Sequence, residues 1–314
     1  MTNQNFTPYL DNKLYEELSS SRKMLSQKDL EEIILFKDFF GIKSKEENLD
    51  FVNIPLNTDL PMYIDPYSIS IKSGEWYEEC NNLIVDFFEK VMTAIKSNDM
   101  ITAYKLLSKL NEPNETHLGV SSGIPDGCGI GKEQTKILLN RLKNSRAAQT
   151  GFLKDLSDCE LMIEGIGADK ISDITTNIIR GKLIEYTERQ CLEHSIPYQE
   201  VDSNYYWIAE DGVWTKRKAR LPFYNGKPIL LVPKNIVVKT TISNYEKFYD
   251  IVMLPYYEEL HISINSRLVK VLKNGKIKVN RTELRKIYKC SKAVVNDFIE
   301  ERPEQLAKYK ATRL

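Results

Sequence analysis

The sequence predicts an α+β protein with a helical N-terminal part, a central mixed α/β core that contains an antiparallel meander, and a helical, basic C-terminal part. Three observations support this prediction. Apolar residues recur at helical spacing over residues 75–96 and 133–149. Aromatic and β-branched runs flank Asp211-Gly212 and Asn225-Gly226, which is typical of β-hairpins. Lysine and arginine outnumber the acidic residues in the last third of the chain.

The composition is that of an ordinary globular protein. With 314 residues, of which 42% are hydrophobic and 28% charged, the chain can bury a substantial core. No run of about 18 apolar residues occurs, so no membrane span is predicted. The polar start of the chain lacks the basic and apolar regions of a signal peptide, and we expect a cytoplasmic protein.

The cysteines and histidines do not follow the usual zinc or disulfide patterns. The five cysteines lie at least 31 residues apart, and their odd number argues against a disulfide framework. None of the three histidines is paired at metal-ligand spacing. We therefore expect a reduced protein without structural zinc.

Opposite charges are separated along the chain. Residues 1–100 hold 18 acids and 10 bases, whereas residues 212–292 hold 18 bases and 5 acids. Net charges of −8 and +13 within a chain that is neutral overall predict that the C-terminal part faces a polyanion, nucleic acid above all. A partner protein is the alternative.

The N-terminal region, residues 1–112, is predicted to be mainly helical. Its first amphipathic helix is expected to end at Gly41. Residues 51–56 and 60–65 read as short strands with prolines at their ends. Asp65 precedes a proline, and this position favours a turn over a functional site.

The central region, residues 113–240, opens with a glycine-rich stretch from Gly119 to Lys132 that contains five glycines. The phosphate-loop template fails, because Asp126 and Glu133 stand where a glycine and a Ser or Thr are required. The dinucleotide fingerprint fails as well, so no nucleotide cofactor is predicted. Backbone N–H groups at the start of the following helix, with Lys132 beside them, still suit an anion. A tight connection that needs positive φ angles explains the glycines equally well.

The Pro125-Asp126 pair is similar to the first element of the PD-(D/E)xK nucleases. Their second element is an acid, any residue and then Lys on a strand. It has no counterpart downstream, where Glu160-Leu-Met and Glu164-Gly-Ile lack the lysine. The resemblance covers one element of the motif, and no family is assigned from it.

Six carboxylates and one base lie within residues 155–173. Apolar and polar residues alternate over residues 159–164, which predicts a strand that shows Glu160 and Glu164 on one side. A helix is predicted to follow from about Lys170.

On that helix Asp169, Asp173 and Asn177 recur every four residues, so they share one face. Two carboxylates one turn apart suit Mg²⁺ or Mn²⁺, which prefer oxygen ligands. The alternative is that Asp169 caps the helix and Asp173 complements its dipole. The predicted metal ligands are Asp169, Asp173 and Asp126, and the predicted catalytic residues are Asp169, Asp173, Glu160, Glu164 and Lys132.

The predicted meander is rich in basic and aromatic residues. No acid occurs between Gly212 and Tyr245. Bases interleaved with aromatic rings can follow a phosphate backbone and stack on nucleobases. A solvated sheet edge protected by lysines is the alternative. The predicted nucleic-acid-binding residues are Lys216, Arg217, Lys218, Arg220 and Trp214.

The C-terminal region, residues 241–314, is predicted to be helical, with a small hairpin at Asn274-Gly275. Ten bases and one acid lie between Arg267 and Lys292, and they extend the basic surface of the meander.

These patterns together predict a nucleic-acid-acting protein. Its most economical form is a metal-dependent phosphodiester hydrolase, in which carboxylates hold Mg²⁺ or Mn²⁺, the metal activates water and the basic surface holds the substrate. Prokaryotic origin and a role in defence against foreign DNA are further expectations. The alternatives are a non-catalytic subunit that binds nucleic acid or a partner protein, and an enzyme that acts on a small phosphorylated metabolite.

Overall fold

The structure, a computed structural model, describes residues 33–119, 132–150, 153, 155–239, 241 and 244–311. The predicted α+β class is confirmed. Helices occupy both ends of the described chain, and small antiparallel ladders lie between them.

The helices fall into three groups along the chain. Before the glycine-rich stretch lie α1 (Phe36–Phe39), α2 (Pro66–Ser70), α3 (Glu75–Lys96) and α4 (Met100–Leu107). After it lie α5 (Lys132–Asn144), α6 (Arg146–Thr150), α7 (Asp158–Met162) and α8 (Ala168–Glu193). The C-terminal group is α9 (Tyr245–Phe248), a π-helix (Tyr249–Met253), α10 (Leu254–Ser263), α11 (Arg281–Ile287), α12 (Lys292–Glu301) and α13 (Pro303–Ala311).

The strands form two-stranded antiparallel ladders. They are β1 (Tyr63–Ile64), β2 (Gln199–Asp202), β3 (Tyr206–Ile208), β4 (Val213–Thr215), β5 (Lys218–Leu221), β6 (Phe223–Tyr224), β7 (Lys227–Pro228), β8 (Val237–Val238), β9 (Val269–Val271) and β10 (Ile277–Val279). The pairs are β1 with β8, β2 with β5, β3 with β4, β6 with β7, and β9 with β10.

The predicted meander is antiparallel but divided. β3 and β4 form one hairpin, and the β2–β5 ladder encloses it in the sequence. β6 and β7 are joined by Asn225 and Gly226, whose φ angles of 48° and 75° are those of the tight turn that an Asn-Gly pair favours.

The central element is α8, which packs against α3, β1, β3 and β5. It is enclosed on most sides, because 16 of its 26 residues are buried. A polar group on such a helix must find its partner inside the protein. The buried Thr175, Thr176 and Thr187 do so by donating to the carbonyl oxygens four residues earlier, each at 2.7 Å.

Three predictions about local structure are wrong. Residues 159–164 do not form a strand: α7 lies there, and all five of its residues are buried. Alternation over so short a segment cannot separate a strand from a helix that is covered on every side. The helix predicted over residues 133–149 is interrupted at Ser145, and the strand predicted at residues 51–56 is reduced to isolated bridges.

Asp65, where the sequence favours a turn, is the N-cap of α2. Its carboxylate caps α2 by accepting from the backbone N–H groups of Tyr67 and Ser68, at 3.2 and 3.3 Å. The Ser68 hydroxyl donates to the same carboxylate at 2.8 Å. This acid therefore stabilises the start of a helix.

Candidate acidic site and nucleic-acid interface

The first two turns of α8 carry the two carboxylates that the sequence singled out. Asp169 is exposed, whereas Asp173, one turn later, is 8% exposed. The Oδ1 atom of Asp169 lies 3.1 Å from the point that a Cβ would occupy at Gly119. Asp169 therefore stands beside the residue from which the glycine-rich stretch departs.

Asp173 titrates far from the ordinary range of an aspartate. Burial raises the pKa of its carboxyl to about 7; Asp169 adds to the rise, and Lys170, with its Nζ 3.3 Å from Oδ2, opposes it. The carboxyl thus changes its protonation state near neutral pH. A carboxyl of this kind is suited to general acid–base chemistry.

Glu160 lies on α7 and is buried. It accepts a hydrogen bond from the Thr241 hydroxyl at 2.7 Å, and burial raises the pKa of its carboxyl although Thr241 and Lys292 oppose the rise. Burial also raises the pKa of the Tyr63 hydroxyl, with further contributions from Asp169 and Glu160. Tyr63 on β1 is thus within electrostatic reach of an acid on α8 and an acid on α7.

Glu164 lies at a cleft separate from the buried Glu160. It is exposed and lines a cleft of about 490 Å³ between α5 and α12, together with Arg141 and Asn296. The sequence placed Glu160 and Glu164 on one face of a strand. The helical conformation of α7 leaves Glu160 buried and Glu164 at this separate cleft.

The other predicted site residues are only partly described. Lys132 begins α5, but its side chain is not among the described groups, and Asp126 lies outside the described residues altogether. Within the described residues, no group of three or more His, Cys, Asp or Glu side chains is placed to hold a metal ion. The described part of α8 thus supplies Asp169 and Asp173 without a third ligand of these types.

Asn177, the third residue of the face predicted on α8, forms hydrogen bonds with the backbone of Asn111. Its Nδ2 donates to the Asn111 carbonyl at 2.6 Å, and its Oδ1 accepts from the Asn111 N–H at 3.1 Å. One turn later Arg180, which is 1% exposed, donates from Nε to Glu115 at 2.8 Å. These contacts, which the sequence analysis missed, fix the segment that leads into the glycine-rich stretch.

Other acids of the cluster also have internal partners. Lys310 on α13 donates from Nζ to Asp155 at 2.9 Å and to Asp158 at 2.6 Å. Burial alone would raise the pKa of Asp155, but Lys310 and the Ser157 hydroxyl outweigh this and hold it below its usual value. The density of acids in residues 155–173 therefore reflects, in part, the docking of α13.

The predicted basic residues of the meander lie on or beside β5, where neighbouring acids compensate several of them. In the β2–β5 register, two bases stand opposite two acids, and a third base reaches an acid on α8. The three pairs are Lys218 with Asp202, Arg220 with Glu200, and Arg217 with Glu188. Opposite charges across a ladder stabilise it and reduce the charge left for a ligand.

The remaining meander residues differ in accessibility. Lys216 is exposed, and its Nζ lies 4.5 Å from the centroid of the Tyr205 ring. Trp214 is half-buried: its ring packs against Trp207, and its indole N–H donates to the Leu106 carbonyl at 2.8 Å. This ring is part of the packing between α4 and the β3–β4 hairpin.

In a second basic segment, residues 264–289, a smaller share of the bases lies next to acids. Three of its bases pair with acids: Arg281 with Glu258, Arg285 with Asp250, and Lys286 with Glu283. Six other exposed bases have no acid within 4.0 Å among the residues that the structure describes. We call these six the C-terminal basic surface; they are Arg267, Lys270, Lys273, Lys276, Lys278 and Lys289.

The molecule is thus an α+β protein in which a nearly enclosed helix carries carboxylates at its start and a basic hairpin region follows in the chain. The chain belongs to the family described as a domain of unknown function, DUF8370, whose model matches residues 41–244. No curated protein and no solved structure matches it. In the described part of the chain, no helix is both long and apolar enough to cross a membrane.

Proposed function

We propose that this protein binds nucleic acid through the C-terminal basic surface. The observation that supports the proposal is the presence of six exposed bases within residues 267–289 that have no acid within 4.0 Å in the described part of the chain. A phosphate backbone supplies the regular row of negative charge that such a surface requires. The acidic N-terminal hundred residues, with a net charge of −8, disfavour contact with a polyanion elsewhere.

The test is the salt dependence of binding. Fluorescence anisotropy of labelled DNA and RNA should show affinity that falls steeply from about 50 to about 200 mM salt, because each neutralised phosphate releases a counterion. Six phosphate contacts correspond to a slope of about −5 in log K against log salt. Replacement of all six bases by Gln should abolish the steep dependence of affinity on salt. Binding that salt leaves unchanged, or no binding, would remove the proposal and favour a protein partner.

The meander provides a parallel arm of the experiment. Lys216, Arg217, Lys218 and Arg220 remain predicted contacts, and their replacement by Glu tests them directly. We expect a smaller loss of affinity than at the C-terminal basic surface, because three of the four bases already face acids.

Phosphodiester hydrolysis is a second candidate function. One observation favours it: the buried Asp173 and the exposed Asp169 are one turn apart, at the end of α8 that lies against Gly119. A metal-dependent form would use Mg²⁺ or Mn²⁺ on Asp169, Asp173 and Asp126, which the sequence predicted as ligands. Carboxylates and water are the usual ligands of these ions.

Cleavage assays separate this candidate from binding alone. Wild type, D169N and D173N are incubated with single- and double-stranded DNA and RNA, with and without Mn²⁺, beside thermal melts of the same samples. A ligand role predicts cleavage and a Mn²⁺-dependent rise in melting temperature in wild type, and neither in the variants. Equal melting shifts and no cleavage in all three proteins leave nucleic-acid binding as the function.

A further inference from the structure

The hairpin formed by β9 and β10 extends into solvent. Every residue from 270 to 278 is exposed, while Leu268 and Val279, at the base of the hairpin, are buried. The turn at its tip contains Gly275 with a φ of 77°, and Lys273 and Lys276 lie near this turn. The hairpin is anchored at one end and accessible along both faces.

Its register places two lysines directly opposite each other. Lys270 pairs with Lys278, and both lie on the face opposite to the buried Val279, so they point away from the body of the protein. Like charges directly across a ladder destabilise it. No acid within 4.0 Å among the described residues relieves this pair. An anionic ligand on the outer face would therefore remove an unfavourable interaction.

The helices that follow the hairpin do not offer a comparable element. α11 and α12 are joined by a short turn, and in helix-turn-helix proteins the second of two such helices enters the major groove. In this protein, α12 packs against the interior and is not available to enter a groove. Its Lys292 is 7% exposed and donates to the carbonyls of Ile163 and Ile166, and its Asn296 donates to that of Met162 at 2.8 Å.

The composition of the hairpin favours a duplex over a single strand. Binding of single strands relies on aromatic rings that stack on unpaired bases. Residues 266–287 contain no Phe, Tyr or Trp, and the rings of Trp207 and Trp214 pack against each other. Lysine contacts phosphate as a point charge without the bidentate geometry by which arginine recognises guanine. Contacts of this kind do not depend on base sequence.

The width of a two-stranded β-ribbon matches only one of the grooves of double-stranded DNA and RNA. Paired strands lie about 4.8 Å apart, and with side chains the ribbon fits the major groove of B-form DNA, which is about 12 Å wide. The minor groove, about 6 Å wide, is too narrow for it, and the major groove of A-form RNA is deep and narrow. We propose that the β9–β10 hairpin lies in the major groove of double-stranded DNA, with Lys270, Lys273, Lys276 and Lys278 on phosphates. This inference rests on the proposed function.

The experiment measures anisotropy of the full chain with a DNA duplex, the same sequence as single strand, and an RNA duplex. The variants are K270Q/K278Q on the outer face and K273Q/K276Q near the tip. The matched control, K72Q/K105Q, removes two exposed lysines from the N-terminal region, residues 1–112. We expect each hairpin variant to raise the Kd for the DNA duplex at least about tenfold and to reduce the salt slope by about 2. The control should behave as wild type.

Folding is monitored by thermal melts. Because K270Q/K278Q relieves repulsion on an exposed ladder, its melting temperature should equal or exceed that of wild type. Hairpin variants that bind the DNA duplex like wild type would overturn the assignment while nucleic-acid binding stands. Equal or tighter binding to the single strand or the RNA duplex would overturn the groove assignment. Absence of binding to all three by wild type would overturn the proposed function itself.

Discussion

Asp173 combines burial with a position one turn after an exposed acid, and its titration affects stability. Its folded-state pKa of about 7 lies above the value of about 4 for an unfolded aspartate. Between these values the folded state binds more protons, so the free energy of unfolding falls as pH rises from about 4 to about 7. The carboxyl therefore stabilises the fold in its neutral form and destabilises it once ionised.

We predict that D173N removes this dependence. The variant should match wild type near pH 4 and be more stable at pH 8 by a few kcal/mol, at about 1.4 kcal/mol per unit of pKa shift. Urea unfolding at several pH values measures the difference. D169N, which alters an exposed acid on the same face, is the control. It should keep most of the decrease in the free energy of unfolding with rising pH. A D173N protein that is less stable than wild type at pH 8 would contradict the prediction.

The Arg180–Glu115 pair is predicted to be strongly coupled. The two side chains are 1% and 10% exposed, so removal of either leaves a buried charge without its partner. R180M or E115Q alone should cost about 3–5 kcal/mol. The double variant should lose less than the sum of the two losses, since neither charge is then stranded. Chemical unfolding of the four proteins of the cycle measures the coupling; additive losses would show that the pair does not act as a unit.

At the scale of elements, one lysine of α13 pairs with two acids that are distant in the sequence. Lys310 bonds to Asp155 and to Asp158, and the side chain of Asp158 is 2% exposed. We predict that K310M lowers the free energy of unfolding by about 1.5–3 kcal/mol near neutral pH, as expected for loss of hydrogen bonds between charged groups. K308M, at an exposed lysine of the same helix, should have little effect.

The effect of K310M should also depend on pH. Since Lys310 holds the pKa of Asp155 below its usual value, the pair contributes stability above about pH 4 and loses it as the carboxylates protonate. The difference between K310M and wild type should therefore shrink in acid. A difference of the same size at pH 7 and at about pH 2 would show that methionine disturbs packing and not charge.

The elements that could be predicted from sequence are those specified by local patterns. The long periodic helix α3 and the Asn225-Gly226 turn each depend on residues within a few positions. α7 was predicted wrongly because five residues buried on all sides carry no helical periodicity. Local conformation could be inferred wherever one face of the element stays in water.

The site could be predicted only in part, for a related reason. The spacing of Asp169 and Asp173 predicted that they share one face of α8. It could not predict that Asp173 is buried and Asp169 exposed, because burial depends on neighbours distant in sequence. The partners of Lys310 lie 155 and 152 positions away, and Arg180 meets Glu115 across 65 positions. No window of local sequence contains such a pair. The acids on β2 that compensate the bases on β5 likewise became apparent only through the register.

At the scale of the whole molecule, opposite charges lie in different parts of a neutral chain. Net charges of −8 in residues 1–100 and +13 in residues 212–292 allow one molecule to attract another. We predict reversible self-association near neutral pH at about 0.01 M salt, and dispersal at about 0.15 M, where charges are screened beyond about 8 Å. Dynamic light scattering measures this. Particle size that does not change with salt would show that the charge separation has no such effect.

The exposed β9–β10 hairpin also makes the chain vulnerable to proteolysis. Trypsin cleaves after lysine and arginine, and accessible turns at the surface are cut before packed segments. Four lysines between residues 270 and 278 stand in exposed backbone, beyond the family match that ends at residue 244. Within the described part of the chain, we expect the earliest cleavage here. A bound DNA duplex should delay it, so that the rate of one cut reports occupancy of the groove without any label on either molecule.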